Sequence, residues 1–314
     1  TNQLANGILQ KDFDELLLSE EKPFFNRALK GRYPPASSIK PAIAMYGIEE
    51  GLIDWDFSIF DEGFFTLPED GRIYRDWKEG GHGDTNLFKA ITQSSNTYFF
   101  DLAYRSDINQ LNKHLSSLGF GGKACIDCFE EDKVFVPEPS WKMNKHNFGW
   151  FKGDTVNMGV GQGYLVSTPI QLAKYAYIMA NKGKFSDLSL KKDLVKSEKS
   201  IEFNKFSNDD WFKLHESMVN VIEGNTGTAR RLRERKNYIV AAKTGTAELV
   251  SGDNREQYSE TRLDDSLRDH ALIIAFGPMP NPRYAVSVVV ENGESGGSVA
   301  GPVAISVLNS LIQE

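Results

Sequence analysis

Hydrophobic positions recur with a helical period through most of the middle of the chain. Apolar side chains return every three or four residues in five stretches, which predicts five helices. The predicted helices cover residues 41–50, 87–104, 108–118, 168–181 and 209–223. The stretch 191–207 is rich in Lys, Ser and Asp, and we expect it to be an exposed surface loop.

Short β-branched runs replace this pattern towards the C-terminal end. Residues 238–242, 270–276 and 284–291 are separated by Gly, Pro and Asn and predict neighbouring strands. The connection 277–282 (GPMPNP) is short enough to join two antiparallel strands, and residues 299–312 predict a closing helix. We therefore predict an α/β (α+β) core with a helical lobe.

Composition narrows the function classes. The chain has 314 residues, of which 40% are apolar and 25% are charged, as is usual for a globular protein with a sizeable core. Its net charge of -7 provides no cationic field for nucleic acid, so we expect no nucleic-acid partner. Apolar runs are strand-sized, so no segment is expected to cross a membrane. The start lacks Met and an apolar signal core, which suggests a mature product or an excised part.

The first candidate motif is S-x-x-K at Ser37 and Lys40, directly after a Pro-rich turn. Residues three apart share one face of a helix, so this spacing predicts that the Ser37 hydroxyl and the Lys40 amine lie within hydrogen-bond reach. A serine alcohol is a poor nucleophile at neutral pH, and a neutral Lys can accept its proton. Alone, this short motif often arises by chance.

Two further motifs follow in order. Ser94 and Asn96 form S-x-N, with one hydroxyl to relay a proton and one amide to bind a substrate amide. Lys243, Thr244, Gly245 and Thr246 form K-T-G-T after a β-run, with a cation and hydroxyls suited to a carboxylate. Gly245 lets an extended peptide lie against the backbone. Each motif has an ordinary structural explanation, but the ordered set is far more specific.

This set, together with its flanking residues, resembles the transpeptidase domains of the class B penicillin-binding proteins of cell elongation, the penicillin-binding protein 2 family. The resemblance covers nearly the whole chain. The flanking segments that carry it are residues 25–30 (FNRALK), 33–41 (YPPASSIKP), 74–83 (YRDWKEGGHG), 161–172 (GQGYLVSTPIQL) and 242–247 (AKTGTA).

The resemblance implies the penicillin-binding protein and β-lactamase-like fold, an antiparallel five-stranded sheet flanked by helices with an all-helical subdomain. We expect one transpeptidase domain over residues 1–314. Its α/β subdomain would take about 1–40 and 225–314, and its largely helical subdomain about 41–224. The family's membrane anchor and N-terminal pedestal would lie outside this chain. The implied location is the periplasmic face of the bacterial inner membrane, with this part of the protein soluble.

The resemblance also implies roles. Ser37 would attack the D-Ala-D-Ala carbonyl of a peptidoglycan stem peptide, Lys40 would take its proton, and Ser94 would help return it to the leaving D-Ala. Backbone N–H groups of Ser37 and Thr246 would hold the oxyanion. The site would also include Asn96, with Lys243, Thr244, Gly245 and Thr246 binding the terminal carboxylate. β-Lactam antibiotics would acylate the same serine. The implied protein partners are a membrane glycosyltransferase and elongation-complex proteins, reached through the part outside this chain.

Some members of the family carry a zinc ion beside the cleft, held by two Asp, one His and a Cys within the second motif. The matching positions here are Asp61, Asp76 and His82, with Ser95 in the place of the cysteine. A neutral hydroxyl is a much poorer zinc ligand than a thiolate. We therefore expect no metal or other cofactor, and a hydrogen bond between Asp76 and His82 that braces the loop before Ser94.

The two cysteines, Cys125 and Cys128, are too few for a disulfide framework and lack the second pair of a zinc site. Their glycine-rich surroundings favour a turn with a short extended segment, so we do not expect a redox function.

Three alternative functions share the serine motif. A β-lactamase would need a group that activates water for deacylation, and the segments that serve this purpose in class A and class D enzymes are not present in the sequence. A β-lactam sensor would be acylated without turnover. A scaffold with a dead site would have lost motif residues, whereas all of them are intact.

Overall fold

The computed structural model describes Leu4 and residues 6–194, 197–249 and 267–312. The α-helices are α1 (Gln10–Leu18), α2 (Arg27–Lys30), α3 (Lys40–Glu49), α4 (Leu87–Gln93), α5 (Asn96–Arg105), α6 (Ile108–Ser117), α7 (Pro139–His146), α8 (Lys152–Gly159), α9 (Pro169–Ala180), α10 (Asn208–Glu223) and α11 (Gly301–Ile312). Short 3-10 helices cover Ala36–Ile39 and Arg230–Arg235, and a π-helical turn covers Gly296–Ala300. The strands are β1 (Ser58–Asp61), β2 (Phe64–Thr66), β3 (Ile73–Arg75), β4 (Gly83–Asn86), β5 (Lys184–Phe185), β6 (Lys199–Ser200), β7 (Ala241–Ala247), β8 (His270–Gly277) and β9 (Tyr284–Val290).

The main sheet is antiparallel and has the order β7-β8-β9. Side chains of β8 alternate between two hydrophobic clusters, because successive residues of a strand point to opposite faces. Residues 272, 274 and 276 belong to the large core shared with the helical part, and residues 271, 273 and 275 pack with α11. In the described part of the chain this sheet has three strands, where the resemblance implied five. Strand β7 is therefore an edge strand within those residues.

Most of the predicted helices are confirmed. The stretches 41–50, 108–118, 168–181, 209–223 and 299–312 form α3, α6, α9, α10 and α11 with shifts of one or two residues at most ends. Two of them begin at capping boxes, at Thr168 with Gln171 and at Ser207 with Asp210, where side chains bind otherwise free backbone groups. The strands at 270–276 and 284–291 and their antiparallel connection are also confirmed.

Two predicted boundaries are wrong. Residues 87–104 form two helices, α4 and α5, because Ser94 takes a left-handed conformation (φ 60°, ψ 40°) that ends the first helix. Ser95 then caps the second by accepting a hydrogen bond from the Tyr98 N–H. The first strand runs over β7 and not over 238–242, because pairing with β8 starts at Ala241. The K-T-G-T motif thus lies within the strand.

Smaller features were not visible in the hydrophobic pattern. Three two-stranded sheets, β1 with β4, β2 with β3 and β5 with β6, lie in the region predicted to be largely helical. Cys125 and Cys128 form a disulfide, beside isolated β-bridges that give the turn and short extended segment predicted there. The described part of the 191–207 stretch is mostly exposed and contains β6; residues 195–196 of that prediction lie outside the described residues.

None of the helices among the described residues has the length and apolar character needed to span a bilayer. The proposed division into an α/β subdomain and a helical subdomain stays a prediction.

Candidate active site

Ser37 lies in the 3-10 helix that precedes α3, on a tightly held turn. Ala36, the residue before it, has a positive φ of 49°, which is unusual for a side chain with a Cβ. The Ala36 N–H donates to the Gly161 carbonyl at 2.8 Å, and the Ser38 hydroxyl donates to the Pro35 carbonyl at 2.6 Å. Ser37 is partly exposed, whereas Ser38 and Lys40 are completely buried. This packing fixes the backbone under the Ser37 hydroxyl.

The second motif surrounds the Lys40 amine with acceptors. Lys40 Nζ donates to the Ser94 carbonyl at 2.8 Å, to Ser94 Oγ at 3.2 Å and to Asn96 Oδ1 at 2.7 Å. These are three acceptors for the three N–H donors of an ammonium group. The hydrogen bond predicted between Ser37 and Lys40 is not formed here, because the amine is fully engaged with the second motif. Within the described residues Ser37 Oγ has no hydrogen-bond partner.

The third motif, on strand β7, contacts the Ser94 hydroxyl. Lys243 Nζ donates to Ser94 Oγ at 2.8 Å and to the Thr244 carbonyl at 3.2 Å. The structure thus brings Lys40, Ser94, Asn96 and Lys243 into one hydrogen-bonded group beside Ser37.

Burial changes the proton affinity of both amines. Removal from water disfavours a charged ammonium, so burial lowers the pKa of Lys40 to about 7, although the carboxylates of Asp76 and Asp61 oppose the shift. Burial, together with the nearby charge of Lys40, also lowers the pKa of Lys243 well below its ordinary value. A neutral lysine near pH 7 is the state that can accept a proton.

The rest of the third motif lies on β7, which is an edge strand of the sheet among the described residues. Thr244 Oγ1 is hydrogen-bonded to Thr228 Oγ1 at 2.7 Å, and Thr246 is exposed while its carbonyl accepts a bond from Gln162 Nε2 at 3.0 Å. A Cβ added to Gly245 would lie 3.2 Å from the Pro35 carbonyl oxygen and 3.3 Å from the Ser38 N. Glycine therefore allows β7 to pass close to the turn that carries Ser37.

The acidic cluster predicted beside the second motif is present and buried. Asp76 Oδ1 and His82 Nε2 are 3.2 Å apart, which is the hydrogen bond expected between them. Asp76 Oδ2 accepts bonds from the Asn96 N–H at 2.6 Å and the Thr97 N–H at 3.0 Å, at the start of α5. Asp61 Oδ2 accepts from the Ser95 hydroxyl at 2.7 Å.

Hydrogen bonds decide the charge of Asp76. Burial alone would raise its pKa, but the bond to His82, the positive charge of Lys40 and the backbone N–H groups hold the pKa of Asp76 well below its usual range. Asp76 is therefore a stable anion at the start of a helix, where negative charge is favourable.

The residues present do not fit a closed zinc site. One ligand atom from each of Asp61, Asp76 and His82 lies within 4.8 Å of the others, but protein groups already bind all of them. His82 Nδ1 is bonded to Gln93 Oε1 at 3.0 Å. Among the described residues, no buried nitrogen or oxygen of these side chains lacks a partner. The fourth position is the Ser95 hydroxyl, which is engaged with Asp61 and the helix cap, and structural zinc needs four strong ligands.

Sequence reasoning missed several groups at this site. The indole N–H of Trp77 donates to the Gln93 carbonyl at 3.2 Å and the Ser94 carbonyl at 3.1 Å. Gln93 Nε2 donates to Thr226 Oγ1 at 3.1 Å, in the segment that leads to β7. Trp77 lies in a segment that carried the resemblance, so it could have been suspected. No sequence signal marks Thr226 or Thr228.

Comparison with known proteins finds similar sequences along nearly the whole chain. The family model described as the penicillin binding protein transpeptidase domain matches residues 4–309. The chain is 39% identical to the peptidoglycan D,D-transpeptidase MrdA of Acinetobacter baumannii over 308 residues, which covers 95% of this chain and 45% of that protein. The chain spans about half the length of the curated relatives it matches.

Solved structures show the same fold. A crystal structure of Pseudomonas aeruginosa PBP2 in complex with WCK 5153 superposes with a TM-score of 0.87 at 36% identity, covering 98% of this chain and 67% of that one. A complex between PBP2 and MreC from Helicobacter pylori gives a TM-score of 0.86 at 30% identity, covering 97% of this chain and 55% of that one.

Proposed function

The chain belongs to the penicillin-binding protein transpeptidase family, and on that premise we propose that it is a serine D,D-transpeptidase domain that cross-links peptidoglycan stem peptides. One observation carries the proposal. The Ser94 hydroxyl accepts hydrogen bonds from two buried lysines that come from different motifs, next to the partly exposed Ser37. This arrangement can take a proton from one group and return it to another.

In the proposed acylation, Ser37 Oγ attacks the carbonyl of the penultimate D-Ala and forms a tetrahedral adduct as its proton passes to Lys40; the ester forms when the C–N bond breaks. A neutral Lys40 keeps two N–H donors, enough for the Ser94 carbonyl and Asn96 Oδ1, and its lone pair becomes free for the proton of Ser37. The pKa of about 7 makes this neutral form available at physiological pH. Ser37 has no competing hydrogen bond within the described residues.

The C–N bond to the terminal D-Ala then breaks, and the leaving amine needs a proton. Ser94 can supply it, because its hydroxyl is refilled from the Lys40 or Lys243 ammonium at hydrogen-bond distance. The neutral amine of a neighbouring stem peptide then attacks the ester carbonyl and gives up one proton to the Ser94–Lys40 pair. That pair returns the proton to Ser37 Oγ as the ester C–O bond breaks, and the new amide remains. Atoms and charges balance without a cofactor.

The edge of β7 is proposed to bind the donor peptide. An extended peptide can add to an unpaired strand edge through backbone hydrogen bonds. Lys243, Thr244 and Thr246 would bind its terminal carboxylate, and the N–H groups of Ser37 and Thr246 would stabilise the oxyanion. The close approach of β7 to the Ser37 turn at Gly245 supports this placement. β-Lactams would occupy the same position and acylate Ser37.

Partners and location extend the same proposal. The similarity to a PBP2 that was solved in complex with MreC supports elongation-complex proteins as partners, and we also propose a membrane glycosyltransferase. Both would be reached mainly through parts of the protein outside this chain. The proposed location is the periplasmic face of the bacterial inner membrane.

Intact-protein mass spectrometry tests the function. The wild-type chain and Ser37→Ala are incubated with a penicillin, and the adduct is followed over hours. We expect one long-lived adduct on the wild type and none on the variant. A D-Ala-D-Ala peptide and an amine acceptor are then supplied, and we expect the aminolysis product.

The other outcomes identify the alternatives. Rapid loss of the adduct with release of hydrolysed drug would indicate a β-lactamase. A stable adduct without any peptide turnover would favour a sensor. Absence of an adduct on a folded wild-type chain would leave the motifs without catalytic function.

A further inference from the structure

The turn that carries Ser94 is held in a conformation that it would not keep by itself. Ser94 is a non-glycine residue in the left-handed region, which costs on the order of 1 kcal/mol. Its carbonyl and its hydroxyl both contact Lys40. If the turn relaxed, the hydroxyl would leave its position between the two lysines. The activity of the site therefore depends on whatever holds this turn.

Two consecutive residues after β3 bind the turn from both sides. The Asp76 carboxylate accepts from the Asn96 and Thr97 N–H groups, which follow the turn. The Trp77 indole N–H donates to the Gln93 and Ser94 carbonyls, which precede it or lie in it. One acceptor and one donor from adjacent positions thus bind both arms of the turn.

Trp77 makes few other contacts that would stabilise the fold. Its side chain is 58% exposed, so it contributes little to the hydrophobic core. Its ring packs edge-on against His82, with centroids 5.5 Å apart, and His82 is fixed by Asp76 and Gln93. The indole is therefore oriented by the buried cluster behind it, while its N–H is directed at the turn.

We propose that Trp77 is a positioning residue, which together with Asp76 clamps the Ser94 turn and so keeps the Ser94 hydroxyl between Lys40 and Lys243. The inference rests on the proposed function, because its effect is on proton transfer during acylation. Trp77 shares the Ser94 carbonyl with the Lys40 amine. Without the indole N–H, Lys40 would be the remaining donor to the Ser94 carbonyl among the described residues. Movement of the turn would then also move the Lys40 amine, the proposed base.

The test is Trp77→Phe, which keeps an aromatic ring and removes the N–H. Pre-steady-state acylation by a chromogenic β-lactam separates the acylation rate constant at saturation from the apparent dissociation constant. We expect the rate constant to fall about fivefold to tenfold, the equivalent of one ordinary hydrogen bond, with the dissociation constant changed less than about twofold. The melting temperature should stay within about 3 °C, because little buried surface is lost.

Trp55→Phe is the matched control. The Trp55 indole N–H donates to Asp210 Oδ1 of α10 at 2.8 Å, whereas Trp77 shares its N–H between two carbonyls. The same chemical change is thus made away from the Ser94 turn. We expect the control to keep the wild-type acylation rate constant. An equal fall in both variants would overturn the proposal, since it would indicate a general effect of lost stability.

The failure of this inference can be distinguished from failure of the proposed function. If the wild type is acylated at Ser37 and Trp77→Phe is acylated equally fast, the clamp is wrong and the proposed function stands. If Trp77→Phe changes only the dissociation constant, Trp77 contacts the ligand and does not position Ser94, which also overturns the inference. If the folded wild type is not acylated, the proposed function fails first.

Discussion

Lys40 and Lys243 donate to the same oxygen, Ser94 Oγ, at 3.2 Å and 2.8 Å. Both side chains are completely buried. Two ammonium groups so close together and shielded from water repel each other, and burial together with the charge of Lys40 lowers the pKa of Lys243. The arrangement therefore favours a state in which one amine is neutral, and a neutral amine is what a serine nucleophile requires.

The first prediction concerns pH. Lys40 must be neutral to accept the proton of Ser37, and burial places its pKa at about 7. The acylation rate constant should therefore fall as pH drops through 7, about tenfold per pH unit below it, and should level off above it. The profile is measured by stopped-flow over about pH 5 to 9, with a β-lactam whose own charge does not change in this range.

Lys40→Arg is the control for this profile, because a guanidinium stays protonated throughout this range. We expect acylation to be lost at every pH in the variant. A wild-type rate constant that does not change across the range would contradict the assignment of Lys40 as the base.

The second prediction concerns the turn under the nucleophile. Gly161 has a φ of +72°, and an added Cβ would lie 2.3 Å from the Ala36 carbonyl oxygen and 2.7 Å from the Ala36 N. Gly161→Ala must push the Ser37 turn away, so we expect acylation to slow about 100-fold, as for a misplacement of about 1 Å. Mass-spectrometric time courses with a penicillin measure the rate.

Gly163→Ala makes the same change two residues further on. Gly163 also has a φ of +72°, but its added Cβ would meet only the side chain of Asn157, at 3.1 Å. The backbone strain is thus similar and the clash with Ala36 is missing. Equal rates in the two variants would show that strain, and not displacement of Ser37, limits acylation.

The sequence marks the residues of the three motifs but does not show which groups they contact. The three motifs combine residue types that few other chemistries need, so the sequence alone predicts that Ser37, Lys40, Ser94 and Lys243 share one site; the structure joins Lys40 and Lys243 at Ser94 Oγ. The Ser37 hydroxyl and the Lys40 amine are not hydrogen-bonded to each other, because spacing along one helix does not show which acceptors on other segments compete for the amine. Asn96 and Ser94 compete for it and are bonded to it here.

Helices and strands are predictable from the sequence where local residues determine where they begin and end. Helices α9 and α10 begin at capping boxes that are visible in the sequence. The break at Ser94 is not predicted because the helical spacing of apolar residues resumes after the polar run 92–97 (TQSSNT), and because the turn is held by distant groups such as Trp77. Strand β7 was misplaced because its limits follow from pairing with β8, which no local pattern records.

A third prediction concerns metal. The wild type, purified in zinc-containing buffer and desalted, should contain well under one equivalent of zinc by elemental analysis, and a chelator should leave its melting temperature unchanged. Ser95→Cys places a thiolate beside Asp61, Asp76 and His82 and should gain about one zinc, with a melting temperature that falls on chelation.

Ser95→Ala is the matched variant, since it removes the hydroxyl bond to Asp61 without adding a ligand. It should stay free of zinc and lose about 1 kcal/mol or more of unfolding free energy, because a buried carboxylate loses a partner. Stoichiometric zinc in the wild type would refute the view that hydrogen bonds to protein groups replace a metal ion at Asp61, Asp76 and His82.

The fourth prediction concerns the disulfide. Cys125 and Cys128 are only three residues apart, and a loop this short restricts the unfolded chain little, so the double Cys→Ser variant should lose about 2 kcal/mol at most. The surrounding loop should keep its place, because Asp127 accepts bonds from Ser189 Oγ at 2.7 Å and the Leu190 N–H at 2.9 Å. Denaturant unfolding and acylation kinetics check both points.

We expect the acylation rate constant of this double variant to equal that of the wild type. Asp127→Ala, which keeps the disulfide and removes those bonds, is the comparison. A large loss of acylation in the double Cys→Ser variant alone would mean that the bridge controls the site.

The two hydrogen bonds on Ser94 Oγ come from Lys40, 54 positions earlier in the chain, and from Lys243, 149 positions later. No short fragment can bring such residues together, because closing loops of this length is unfavourable until the intervening structure has formed. Partly folded molecules, even those with most helices intact, should therefore be inert towards penicillin. Covalent labelling of Ser37 would then count fully folded molecules in a mixed population, and the antibiotic becomes a direct titrant of folding yield.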